Sequence, residues 1–349
     1  MKKSLVSTLL WGAMATVAMS TGANAEQITV MNFANYMPED ILTRFKAETG
    51  IDVELVTTST NEESMGKIVA GNGTGFDVVF VSSPFAEALQ KLNLISEIDH
   101  SKLPNLSNLY DVATKLQYDP GNVYSIPYSW GTTGLCYRSD LMSFAPDSWQ
   151  DLLNPKDEIK GKITMISTDR WLLAAGQLAN GYSVNDVDAA HLEEVKADLI
   201  NAKKTLLAYD NNTMFSKLVS GEAVMAHAWD GWCNFAIAEN PNVKFVVPKE
   251  GSDFYIDVMV IPSATEHKEA AQKFINFVLQ PENQKWVVDT LTFKVPNRVS
   301  METVSQDHIK KFPNLALTPD ELSKFETFRD LGADLPRVSS VVTEITASK

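Results

Sequence analysis

Hydrophobic and polar positions along the chain fall into short, regularly punctuated runs. Gln27 to Met31 reads as a strand, and a loop, Asn32-Phe33-Ala34-Asn35-Tyr36, follows it. Pro38, with Glu39 and Asp40 behind it, marks a helix start, and Ile41, Leu42 and Phe45 keep helical spacing up to Gly50. Ile51 to Val56 predicts the next strand and Ser64 to Val69 a short helix. Asp77-Val78-Val79-Phe80-Val81 is a continuous apolar run, as in a parallel strand buried on both faces. The run ends at Ser82-Ser83-Pro84-Phe85, and a helix follows to Leu92. Strand and helix alternate as in a doubly wound α/β lobe.

Further along, Gly131-Thr132-Thr133-Gly134 sets a polar pair between glycines, which suits a bend before the strand Leu135–Arg138. Lys162 to Ile166 predicts a strand. Ser167-Thr168-Asp169-Arg170 opens the helix Trp171–Ala179, which Gly181 ends, and Val187 to Lys204 reads as an acidic surface helix. Ser216 to Gly221 predicts a short helix. Val224 to Ala228 reads as a buried strand ending in Trp229-Asp230-Gly231-Trp232, followed by a helix. Val243 to Val247 leads to the turn Pro248-Lys249-Glu250-Gly251, then to Phe254-Tyr255-Ile256-Asp257 and the apolar run Val258–Ile261. Lys268–Leu279, Pro281–Asp289 and Thr318–Leu331 complete the predicted helices. No linker or internal repeat interrupts the chain, so two lobes would be interwoven and not strung in tandem.

The first residues add a compartment. Lys2 and Lys3 precede an apolar core, Leu5–Ala18, and Ala23-Asn24-Ala25 forms a cleavage site, the pattern of a secretory signal peptide over residues 1–25. The expectation is a soluble protein exported to a bacterial periplasm. A net charge of −14 argues against nucleic acid or an anionic membrane as partner and permits a cationic ligand. The cysteines Cys136 and Cys233 are compatible with a disulfide or with two buried thiols.

Catalytic patterns are scarce. There is no HExxH, CxxC or GxSxG, and the five histidines are scattered; His227, in an apolar strand, is expected to be a hydrogen-bonded core residue. Gly71-Asn72-Gly73-Thr74-Gly75 lacks the Lys-Ser/Thr of a phosphate loop and precedes a strand, so it reads as a flexible loop. No enzyme, cofactor or metal site is expected. The candidate chemistry lies in two aromatic–carboxylate clusters at strand ends, around Asp230 and Asp257. Ligands of open α/β sheets bind outside strand carboxyl ends, and ring faces with a carboxylate suit an organic cation. Asp230 is also placed to cap the following helix.

A set of fragments resembles one family, the periplasmic spermidine/putrescine-binding proteins of polyamine ABC transporters. They are Asn35-Tyr36-Met37-Pro38, Asn61-Glu62, Phe76-Asp77-Val78-Val79, Tyr124 to Gly131, Gly181-Tyr182-Ser183, Trp229-Asp230-Gly231, Pro248 to Gly251, Asp257 and Pro296-Asn297, in the family's order. The resemblance implies a two-lobed type II solute-binding fold, each lobe a mixed sheet flanked by helices, with the ligand between lobes that close by a hinge. It implies lobes of residues 26–133 with 258–300 and of residues 134–257 with 301–349. Carried over residue by residue, Phe33 stands for a stacking Trp, Tyr36, Ser82 and Trp229 match, Tyr255 stands for an aromatic, Asp257 matches the key acid and Phe293 replaces a Tyr. Asn35 stands where the family has an acid, Thr168 and Trp171 stand where it has two more (a one-residue shift in the match brings Asp169 into use instead), and Pro84 with Phe85 replaces a Tyr.

The resemblance implies a monomeric protein that captures a small cationic amine and delivers it to an ABC permease in the inner membrane. The same fold can instead present its closed form to a membrane sensor. A third expectation, for an opine or amino-acid-like ligand, requires Arg170 or Arg329 to reach the cleft; otherwise Arg170 is expected to pair with Asp169.

Overall fold

The computed structural model describes residues 26–348 except Glu39. The expected signal peptide lies outside the described residues, as does Glu39 at the first helix start. Strand β1 (Gln27–Phe33) pairs in parallel with β2 (Asp52–Thr58) and β3 (Val78–Ser82), and helices α1 (Asp40–Thr49), α2 (Asn61–Ala70) and α3 (Ser83–Lys91) follow the three strands in turn. Every residue of β3 is buried, which accounts for its unbroken apolar run. The long strand β4 (Ser125–Arg138) comes next.

The chain continues with α4 (Trp149–Leu153), β5 (Ile163–Met165), α5 (Asp169–Ala179), α6 (Ala189–Lys203) and β6 (Ala208–Tyr209). It continues with α7 (Met214–Ser220), β7 (Met225–Trp229), α8 (Asp230–Glu239), β8 (Val243–Val246) and β9 (Phe254–Val260). After β9 come α9 (Lys268–Val278), α10 (Pro281–Leu291) and, at the end, a helix over Leu335–Ala347.

The strand order is β2-β1-β3-β9-β4-β7-β5-β6, with β8 also on β4. Residues Ser125–Thr132 of β4 pair with β9, which also pairs with β3; residues Thr133–Arg138 pair with β7 and β8. The molecule is therefore a two-lobed α/β protein, each lobe a mixed sheet flanked by helices, with β4 and β9 running through the junction.

Gly131–Gly134 does not interrupt the strand, because β4 is continuous through it and changes partners there. Close approach explains these glycines. A Cβ at Gly131 would lie 2.5 Å from an Asp230 carboxylate oxygen and 2.6 Å from the Tyr255 hydroxyl, and one at Gly134 would lie 2.4 Å from the Val246 carbonyl. Asp257 sits inside β9 and not at a strand end, opposite Ser82 of β3 on one side and Ser129 of β4 on the other, next to a register shift between Pro127 and Ser129. The predicted helix Thr318–Leu331 shrinks to Pro319–Leu322 with its Thr318–Glu321 capping box. Beyond it, backbone bonds to other segments replace helical ones: Glu326 O accepts from Phe254 N (2.8 Å), and Arg329 N donates to Asn185 (2.9 Å). The Gly71–Gly75 segment is a tight turn, with Gly71 capping α2 and Asn72, Gly73 and Gly75 at positive φ.

Cys136 of β4 and Cys233 of α8 are disulfide-bonded across a sequence separation of 97 residues. His227 of β7 is fully buried edge-on against Trp149, yet neither ring nitrogen has a protein partner among the described residues. It is therefore packed in the core but not hydrogen-bonded as expected, and burial pushes its pKa down to about 3, so it is neutral.

Candidate functional site

Loops at the carboxyl ends of β1, β2 and β3 in one lobe, and of β5, β6 and β7 in the other, surround one cavity of about 230 Å³. Phe33 to Tyr36, Thr58 to Asn61 and Ser82 line it from the first lobe. Thr168, Trp171, Asn211, Asn212, Trp229 and Trp232 line it from the second, and Tyr255 and Asp257 of β9 and Phe293 after α10 complete it. The structure thus brings together Phe33, Asn35, Tyr36, Ser82, Thr168, Trp171, Trp229, Tyr255, Asp257 and Phe293. Phe85 is the exception: it lies in the second helical position after Ser83, buried on α3, and does not line the cavity.

Asp257 is the acidic group at the floor. Its carboxylate accepts hydrogen bonds from the Tyr36 hydroxyl and, at 2.5 Å, from the Ser82 hydroxyl. Ser82 is fixed in turn by Asn61, whose amide donates to Ser82 Oγ (3.0 Å) and accepts from Ser82 N (2.7 Å). The Tyr128 hydroxyl donates to Tyr36 O (2.7 Å), which holds the first loop against β4. Burial raises the Asp257 pKa, and the Ser82 and Tyr36 bonds only partly oppose that shift. A carboxylate has about four lone-pair sites, so two donors leave room for an ammonium.

The walls are aromatic. The Trp171 and Trp229 rings are 5.7 Å apart at 71°, Phe33 and Tyr36 5.5 Å apart at 81°, and Tyr36 and Phe293 4.9 Å apart. Such a ring set offers negative π faces to a cation and apolar surface to methylenes.

Asp230 does not cap α8 as expected; Trp229 holds the cap position. Asp230 is instead buried and accepts from Tyr255 OH (2.6 Å), Gly231 N (2.7 Å) and Thr132 N (3.3 Å), which ties α8 to both β4 and β9. Nearby, Asp253 accepts from the Thr133 hydroxyl, and burial pushes its pKa up to about 7.

Arg170 neither pairs with Asp169 nor reaches the cavity. Its guanidinium is buried, donates to Arg329 O (2.7 Å), Val184 O (3.2 Å) and Asn185 Oδ1 (2.8 Å), and lies 4.8 Å from the Phe328 ring centre. Desolvation brings its pKa down to about 10. Arg329 pairs with Glu87 of α3 (3.3 Å) and also stays outside the cavity. The opine-like expectation therefore lacks the arginine it required.

Sequence reasoning left out Thr58, Ser59, Thr60, Asn211 and Asn212, and left Trp232 uncommitted. The strand-end rule points to the first five, because they lie at or just after the carboxyl ends of β2 and β6. β6 is only two residues long and gives almost no hydrophobic pattern to mark it. Among the described residues no group of three or more His, Cys, Asp or Glu is placed to hold a metal, and no helix is long and apolar enough to cross a membrane.

A two-lobed α/β fold with a cavity between the lobes, lined by strand carboxyl ends, defines a solute-binding protein. Residues 40–316 match the family model of bacterial extracellular solute-binding proteins. The spermidine/putrescine-binding periplasmic protein of Escherichia coli is 32% identical over 311 residues, 88% of each chain. The putrescine/cadaverine-binding protein of Pseudomonas aeruginosa is 30% identical over 99% of this chain and 98% of its own. The solved structure of a spermidine/putrescine ABC transporter substrate-binding protein from Streptococcus pneumoniae superposes with a TM-score of 0.78 at 28% identity, covering 92% of this chain and 98% of that one. The chain belongs to the spermidine/putrescine-binding periplasmic protein family. It is accordingly a non-catalytic binding protein that delivers a small solute to an ABC importer.

Proposed function

We propose that the solute is an organic amine, bound with its ammonium on Asp257 and its carbon chain between the rings of Phe33, Tyr36, Trp171, Trp229, Tyr255 and Phe293. The observation that carries this reading is the buried carboxylate itself. An unpaired buried charge is costly, and Asp257 has hydrogen-bond donors but no cationic side chain against it. The amines named for the relatives from Escherichia coli and Pseudomonas aeruginosa agree with it. The lobes divide as residues 26–133 with 254–300 and 134–253 with 301–349: the change of partner along β4 supports the first boundary, and the pairing of the whole of β9 with β3 and with Ser125–Thr132 supports a second boundary ahead of Phe254 and not after the expected 257. The bound form closes by rotation about β4 and β9, and the closed form is what the importer receives.

Ligand that binds only the folded state raises stability by about 2.7 kcal/mol at a hundred times Kd. Melting curves with putrescine, cadaverine, N-acetylputrescine and choline should therefore show a clear rise with at least one of them. A flat response to all four would sink the amine reading.

A further inference from the structure

Among the described residues, Asp253 is the buried acid with a carboxyl oxygen left unbonded. It stands immediately before β9, fully buried, and does not line the cavity. The Thr133 hydroxyl takes its Oδ1, and Oδ2 has no hydrogen-bond partner. Trp171 of α5 shows the complementary defect. Its ring forms part of the cavity wall, while its indole N–H is buried and also unbonded. The two groups are neighbours: the Trp171 N–H acts as a donor towards the Asp253 carboxyl and lowers its pKa against the larger effect of burial. A buried donor and a buried acceptor each carry a desolvation cost until they are matched, and here they stand beside each other.

The other contacts of the Trp171 ring are apolar. Trp229 and Phe328 pack against it at centroid distances of 5.7 and 5.1 Å, each at 71°. Contacts of this kind are non-directional, whereas a hydrogen bond to the N–H fixes how the ring is turned. The Asp253 end of the pair is itself well held. Ser252 Oγ donates to Thr133 O (2.7 Å) and Asp253 O (2.9 Å), and the backbone of Asp253 bridges to Glu326. Two charged groups act on the carboxyl: Asp230 of α8, which raises its pKa, and Arg170 of α5. Neither bonds to it. Asp230 is occupied by Tyr255, Gly231 and Thr132, and the Arg170 guanidinium by Arg329 O, Val184 O and Asn185. A hydroxyl can donate to a carboxylate or accept from a carboxylic acid, so Thr133 leaves Oδ2 free as an acceptor in both protonation states.

Resting on the assignment of Trp171 to the ligand's ring wall, we infer that Asp253 is a positioning residue for ligand binding: its free carboxyl oxygen takes the Trp171 indole N–H from behind the wall and sets the angle at which that ring meets the ligand. Asp253 touches no ligand atom and acts only through Trp171.

Two readouts test this. The first is the indole N–H resonance of Trp171 in proton–nitrogen NMR spectra, assigned by its absence in Trp171→Phe. It should move with pH in the native chain with a midpoint of about 7, and should stay still in Asp253→Asn. Asn keeps the side-chain size and an acceptor for the indole while the Thr133 hydroxyl accepts from its amide, so this variant should fold. A native resonance that ignores pH between about 5 and 9 would overturn the inference, whatever the ligand. The second is calorimetry with whichever of putrescine, cadaverine, N-acetylputrescine and choline binds the native chain most tightly. Asp253→Leu should weaken binding at least tenfold, and Asp253→Asn should recover most of that loss. Asp253→Leu added to Trp171→Phe should cost less than a further threefold, because the partner N–H is already gone. Additive losses, or Asn as weak as Leu, would overturn the inference while leaving an amine site in place. Silence from all four amines removes the amine reading, and the resonance of Trp171 then decides whether Asp253 holds that ring.

Discussion

Asp253 and Asp257 are two buried acids four residues apart, and their surroundings set them to different tasks. Asp257 faces the cavity and keeps lone pairs for a ligand, whereas Asp253 lies behind the Trp171 wall, with Thr133 as donor and its other oxygen unpartnered. Its pKa of about 7, against an ordinary value near 3.8, means that the folded chain binds a proton between these limits that the unfolded chain has released. Stability from this group is therefore lost as pH rises from about 4 through 7, on the order of 4 kcal/mol in all. His227 works in the opposite direction, losing stability as pH falls from about 6.5 towards 3. Asp253→Asn should accordingly raise the melting temperature relative to the native chain more at pH 8 than at pH 5. Equal gains at both values would show that Asp253 is not protonated in the fold. At this scale the sequence marked Asp257 and its rings well, because they stand beside apolar runs and in recognisable fragments. It could not separate Asp230 from a helix cap, since that depends on Thr132 and Tyr255, which come from strands distant in sequence.

The crossing strands carry the site more than any loop does. β4 brings Gly131 against Asp230 and Tyr255, and β9 carries Tyr255 and Asp257 on one strand. The absence of a side chain at Gly131 lets α8 and β9 meet there. Gly131→Ala forces a methyl into carboxylate oxygens 2.5 and 2.6 Å away, an overpacking that should destabilise by roughly 1–3 kcal/mol and weaken ligand binding as well. Thermal melting with and without ligand would check it, and a variant as stable as the native chain would show that β4 and α8 separate easily. Element boundaries were legible wherever burial is two-sided, as in β3, or where a cap is written locally, as at Thr318-Pro319-Asp320-Glu321. Elements held by distant partners were not. β4 hides its continuity behind two glycines whose reason lies in other segments. The stretch after Leu322 was read as helix although its hydrogen bonds run to Phe254, Asn185 and Glu87. The final helix, Leu335–Ala347, was missed altogether; it packs its apolar face, Val338, Val341, Val342 and Ile345, against the second lobe's helices α5 and α6.

For the molecule as a whole, the sheet order places every chemistry-bearing loop at one junction, and closure of the two lobes would assemble an ammonium seat from one lobe with ring walls from both. Outside the cavity, Glu87 and Lys91 of α3 pair with Arg329 and Asp330 of the C-terminal segment, and that segment also carries Phe328, 5.1 Å from Trp171. The same backbone therefore links the cavity wall to the first lobe. The two-lobed fold was legible because alternation, continuity and family fragments agreed. The choice of solute was less so, because it depends on which groups are missing from the cavity as much as on those present. The central claim is that Asp257 seats an ammonium, and one measurement bears on it most directly: calorimetric titration of the native chain and Asp257→Asn with putrescine and N-acetylputrescine at neutral pH. Asn preserves the size of the side chain and an acceptor for Ser82, so the variant should fold. The account predicts binding of at least one amine by the native chain and a loss of a hundredfold or more in Asp257→Asn. Silence from the native chain, or equal binding by the variant, would contradict it.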